Sequence, residues 1–140
     1  PQPLPPRRRS EGLRAMSMIP ERPILVLLRL EGAAAMVAGL AGYVVLSGGW
    51  LTFALSALAP DLAMLGYAAG PKVGARLYNL AHSYLGPALL AGLGLWAAPA
   101  LVPIACLWFA HIGMDRALGY GLKSERSFGL THLGRIGRAA

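Results

Sequence analysis

The sequence predicts an all-α, polytopic membrane fold, an antiparallel bundle of four transmembrane helices, and three observations carry that reading. Of 140 residues, 56% are hydrophobic and 14% charged, too apolar for an ordinary soluble domain and too few for more than one compact unit. Four segments, 24–46, 50–69, 77–98 and 100–118, reach the roughly 20 mostly apolar residues that a spanning helix needs. Lysines and arginines gather in alternate connections, so the net charge of +7 reads as an orientation signal and not as a nucleic-acid footprint.

Residues 1–22 read as a disordered basic tail, because clustered proline with Arg7, Arg8, Arg9 and Arg14 offers no apolar face to bury. Met16 or Met18 offers an internal start, which would make the preceding residues an extension. A cleavable signal peptide is disfavoured: Arg29 and Glu31 interrupt the would-be apolar region, and hydrophobicity continues to Leu46. The spans of the membrane domain, residues 23–120, are separated by Ser47-Gly48-Gly49, by Ala69-Gly70-Pro71 and by Pro99, with Pro103 following. The first and third connections carry no Lys or Arg, the second carries Lys72 and Arg76, and Lys123, Arg126, Arg135 and Arg138 follow the last span. The positive-inside rule then places both termini in the cytoplasm, as expected of an inner-membrane protein. Short uncharged connections make consecutive spans antiparallel neighbours, and abundant Gly and Ala let them approach closely. Residues 121–140 form a basic cytoplasmic tail whose Gly121, Gly129, Gly134 and Gly137 turn it back on the bundle. Cys106 is a lone cysteine, so no disulfide, CxxC pair or cysteine-based zinc site is available.

The functional signal is a set of polar residues inside apolar spans, where each charge costs about 3 kcal/mol at mid-membrane. The spans carry Arg29, Glu31, Asp61, Asn79, His82, His111 and Asp115. At about 1.5 Å of rise per residue from each helix's cytoplasmic end, Glu31 lies about 12 Å deep, Asp61 about 14 Å, His82 about 9 Å, His111 about 14 Å and Asp115 about 8 Å. All fall in the cytoplasmic half of a roughly 30 Å core, which points to one shared site. His111 and Asp115 share a helical face at a spacing of four, as do Asn79 and His82 at three. Pro60 removes a backbone hydrogen bond beside Asp61 and kinks the second span there.

Asp61, His82, His111 and Asp115 are suited to a divalent metal such as zinc, manganese or iron, with Glu31 as general base. Arg116 and Lys123 would hold a phosphate or lipid headgroup, or else serve only the positive-inside rule. The concrete expectation is a membrane-embedded hydrolase acting on a lipid or lipid-linked phosphate, with membrane lipids as partners. Two other readings stay open. One is a structural or partner-binding subunit, its polar residues joined as Arg29–Asp61 and His111–Asp115 pairs. The other is a proton-coupled transporter, for which a homo-oligomer would supply the route past apolar outer halves.

The strings LLRLEGAA at 27–34, APDLAMLGY at 59–67, GPKVGARLYNLAHSY at 70–84, AHIGMDRALGYGLK at 110–123 and THLGRIGR at 131–138 resemble the bacterial family catalogued as domain of unknown function 4260. The resemblance covers nearly everything after Pro23. It implies a small multi-pass membrane protein and supplies no catalytic assignment. Its strings carry the same polar residues, with Tyr120 and His132 beside them.

Overall fold

The computed structural model describes residues 20–46 and 48–136, so residues 1–19 of the stretch read as disordered, with Met16 and Met18, and Gly137 and Arg138 lie outside the described residues, while Arg22, read into that stretch, opens the first helix. Among the described residues, five α-helices and a 3-10 helix are followed by a small sheet: α1 Arg22–Val45, α2 Trp50–Ser56, the 3-10 helix Ala59–Ala69, α3 Pro71–Ala81, α4 Leu85–Trp96, α5 Leu101–Leu118, β1 Lys123–Ser124, β2 Ser127–Thr131 and β3 Gly134–Arg135. Three stretches among the described residues are long and apolar enough to cross a membrane: Arg22–Val45, Trp50–Ala69 and Leu101–Leu118. Their outward faces carry exposed Val26, Leu30, Val44, Leu51, Leu65 and Leu118, which suits hydrocarbon as the surrounding solvent.

The expected third span is not one helix. Pro87 explains why: inside a continuous helix over 77–98 its ring would meet the carbonyl of Ser83 and its missing N–H would leave that carbonyl unbonded. The chain instead ends α3 at Ala81 and restarts at Leu85, which puts Pro87 in the first turn of α4, where no intrahelical donor is needed. At 12 residues, α4 is about 18 Å long, short of a roughly 30 Å hydrocarbon core. The carbonyls exposed by the break are capped by side chains. Trp108 Nε1 donates to Ala81 O at 2.7 Å, Arg116 Nη2 donates to His82 O at 2.8 Å, and Ser83 Oγ donates to Leu80 O at 3.1 Å.

The core lies around α5, which buries Ala105, Leu107, Ala110, His111, Ile112 and Gly113. α1 runs antiparallel to it with backbones in close approach: a Cβ on Gly32 would lie 2.5 Å from Arg116 Cβ, and one on Gly39 would lie 2.6 Å from Cys106 O. The second apolar stretch changes character at Pro60, where the α-helical α2 gives way to the 3-10 helix. Gly70, at φ +112, then reverses the chain so that α3 packs back on the 3-10 helix, with Gly74 against the Tyr67 ring.

α5 ends in a Schellman cap. Gly119 adopts φ +93, its N–H donates to Arg116 O at 3.0 Å and the Tyr120 N–H donates to Asp115 O at 2.7 Å. The residues beyond it, read from sequence as a basic tail, form a three-stranded antiparallel sheet in the order β1-β2-β3. Asn79 fastens that sheet to α3, accepting from Lys123 N–H at 2.6 Å and donating to Lys123 O at 2.9 Å. Arg76 and Glu125 add an exposed ion pair at 2.7 Å.

Candidate metal centre

Three elements each deliver one side chain to a common point: Asp61 from the first turn of the 3-10 helix, His82 from the break after α3, and His111 from the buried face of α5. His82 Nε2 lies 3.4 Å from Asp61 Oδ1, His111 Nε2 lies 3.5 Å from the same oxygen, and the two imidazole nitrogens are 3.3 Å apart. This near-equilateral triangle has the right size for a cation. Ligands at about 2.0–2.1 Å around a tetrahedral ion stand roughly 3.3–3.4 Å from one another. The three residues are the group that could hold a metal ion among the described residues.

The surroundings fix the orientation of His82. Its Nδ1 lies 3.0 Å from Tyr78 O, and because a carbonyl can only accept, Nδ1 is the protonated nitrogen. The Nε2 lone pair therefore faces Asp61 and His111, the arrangement in which an outer-shell carbonyl sets a ligand's tautomer. The Tyr78 ring stacks on the imidazole at 3.8 Å and 11°. His82 is fully buried and the His111 side chain is 3% exposed, whereas the Asp61 side chain is 41% exposed, so the site opens on the Asp61 side. His111 Nδ1 is buried without a hydrogen-bond partner among the described residues.

Asp115, expected as a fourth ligand, is buried beside His82. Its Oδ2 is 3.4 Å from His82 Nε2 and accepts the Tyr78 hydroxyl at 2.9 Å, but it is not part of the three-residue ligand group. Glu31 is exposed and lines a separate cavity of about 180 Å³ with Arg116 and His132. No hydrogen bond or ion pair among the described residues joins it to the triangle. Arg116 is buried, its terminal nitrogens donating to Tyr120 O and His82 O at 2.8 Å, so it braces the site from behind. Lys123 is buried with Nζ 4.0 Å from the Phe128 ring centroid and 5.2 Å from that of Tyr78, a cation–π position. Burial holds its ammonium below the usual lysine range, against the opposing pull of Asp115.

The pairs foreseen for a purely structural network are not formed as expected. Arg29 Nε donates to Ala117 O at 2.8 Å and not to Asp61, while Asp115 approaches His82 and Tyr78 and not His111. Two residues of the site escaped sequence reasoning. Tyr78 and Trp108 look like ordinary aromatic core, and only their polar atoms, aimed at Asp115 and Ala81 O, tie them to it. A cavity of about 430 Å³ touches the triangle through His111 and is otherwise walled by apolar side chains, Met36, Leu40, Phe53 and Leu58 among them.

Among known proteins, the family described as domain of unknown function (DUF4260) matches the chain over residues 25–136. No curated protein and no solved structure matches it.

Proposed function

The chain belongs to the DUF4260 family, whose description assigns no activity, and from its geometry we propose a membrane-embedded, metal-dependent hydrolase. The observation that carries this reading is the 3.3–3.5 Å triangle of Asp61 Oδ1, His82 Nε2 and His111 Nε2. Three protein ligands with one position left open is the arrangement of catalytic zinc sites, and the nitrogen-and-oxygen donor set suits zinc, manganese or iron. When bound, such an ion lowers the pKa of a water molecule and polarises a phosphoryl or acyl oxygen.

The chain's own residues supply the rest. Asp115 Oδ2, 3.4 Å from His82 Nε2 and oriented by the Tyr78 hydroxyl, is better placed than Glu31 to take the proton of the attacking water. The water oxygen bonds to the electrophilic phosphorus, the bond to the leaving oxygen breaks, and the proton held by Asp115 passes to that oxygen. The apolar cavity beside His111 suits the hydrocarbon part of a lipid or lipid-linked phosphate, with the reacting group at the open Asp61 side. The positive-inside pattern supports placing this site toward the cytoplasmic leaflet of a bacterial inner membrane, with both termini cytoplasmic. A proton-coupled transporter would need a polar route onward from His111, and that cavity is apolar.

The test is phosphate release from long-chain phosphatidate in mixed micelles by metal-loaded protein, compared with Asp115→Asn. The proposal expects turnover in the parent and about a 10²–10⁴-fold loss in the variant at unchanged metal content. Turnover that is equal in the two proteins would remove Asp115 from the chemistry. A metal-loaded parent that releases nothing from phosphatidate or a lipid pyrophosphate would contradict the hydrolase.

A further inference from the structure

Arg29 is a charge within the first apolar stretch, flanked by Leu28 and Leu30, and such a residue is normally paired with a carboxylate or aimed at the interface. Among the described residues it has no acidic partner: Asp61 and Asp115 approach the histidines, and Glu125 pairs with Arg76. Its Nε donates to Ala117 O at 2.8 Å, which fixes the guanidinium beside the end of α5 and leaves the terminal nitrogens for another acceptor. Arg135, on β3, also has no acidic partner among the described residues. The two arginines line one cavity of about 370 Å³, together with Tyr120 and the apolar side chains of Leu25, Leu118 and Ile136.

We propose that this cavity is a binding site for an anionic phospholipid, with the phosphodiester held between Arg29 and Arg135 and the glycerol and first methylenes against Leu25, Leu118 and Ile136. Guanidinium forks match phosphate oxygens in pairs, and two of them suit a single phosphodiester charge. The mixed walls select for a lipid over a free anion, because a hydrated phosphate gains nothing from three aliphatic side chains. The site shares no residue with Asp61, His82, His111 or Asp115, so it stands or falls independently of the hydrolase. It also relocates headgroup recognition: Arg116 is occupied by backbone carbonyls and Lys123 by aromatic faces, whereas Arg29 and Arg135 face an open cavity.

The full chain, delipidated in detergent, is titrated with dioleoyl-phosphatidylglycerol and retained lipid is counted by native mass spectrometry. The expected result is one tightly retained lipid, with affinity reduced about fivefold in Arg29→Gln and again in Arg135→Gln, and unchanged in Arg76→Gln. Should Arg29→Gln fail to fold, Arg135→Gln decides alone, since that residue is exposed on a two-residue edge strand. Parent-like retention by Arg135→Gln would overturn the proposal, as would equal retention of dioleoyl-phosphatidylcholine. Displacement of the lipid by millimolar inorganic phosphate would overturn the assignment to a lipid and leave a free-anion site.

Discussion

Tyr78 reaches the candidate centre three ways: its ring stacks on His82, its carbonyl accepts from His82 Nδ1, and its hydroxyl donates to Asp115. Tyr78→Phe removes only the hydroxyl, so we predict unchanged metal content and a loss of turnover of about tenfold or more, with a shifted pH profile, as Asp115 loses its orienting donor. Metal analysis beside a pH–rate profile checks this, and a variant that loses its metal would show that Tyr78 acts on the ligands instead. Asn79 makes a different demand. It closes both hydrogen bonds with Lys123, and Asn79→Ala should cost about 1–3 kcal/mol and free the sheet before the helices, read as earlier protease cleavage within 121–136. At this scale the grouping of Asp61, His82 and His111 was legible, because ionisable residues within apolar stretches are costly unless they face one another. The roles of Tyr78 and Asn79 were not, since their partners are a carboxylate and a backbone peptide brought close only by the fold.

Helix packing rests on glycines that cannot be exchanged alike. A Cβ on Gly113 would lie 2.5 Å from Met36 N and 2.7 Å from Gly32 O, backbone atoms that cannot step aside, whereas one on Gly92 meets nothing within 4 Å. Gly113→Ala should therefore destabilise by about 1–3 kcal/mol, and Gly92→Ala should be neutral or slightly stabilising. Thermal unfolding of the two variants in one detergent checks the contrast, and equal midpoints would contradict the α1–α5 interface. The element level also shows where hydropathy misleads. An average over 77–98 reports an unbroken apolar run, but Pro87 forbids an unbroken helix, and the break is what frees the His82 and Ala81 carbonyls for Arg116 and Trp108. The sheet was hidden for another reason: strands of two, five and two residues are too short to carry a periodicity.

Across the whole molecule, the start of α1 lies beside the end of α5, as the Arg29 bond to Ala117 and the contact of Gly32 with Arg116 require. Both ends of the described chain thus emerge on one side, as the proposed topology requires. Single cysteines placed at Glu21 and Arg126 in a Cys106→Ala background should label from the same face with a membrane-impermeant thiol reagent. Labelling from opposite faces would break the antiparallel arrangement. The shared depth of Asp61, His82 and His111 pointed to one common site from the sequence, whereas the elements that carry them to one point, a 3-10 helix and the break after α3, were not legible, because they depend on how Pro60 and Pro87 reshape two apolar runs. A metal centre in this fold requires Asp61, His82 and His111 to meet at that point. Its most direct test is elemental analysis of the detergent-purified protein after metal reloading, beside a His82→Ala, His111→Ala double variant. Close to one divalent ion per chain in the parent and almost none in the variant is the expected result, whereas a folded parent that takes up no metal, or a variant that binds as much, would contradict the metal centre.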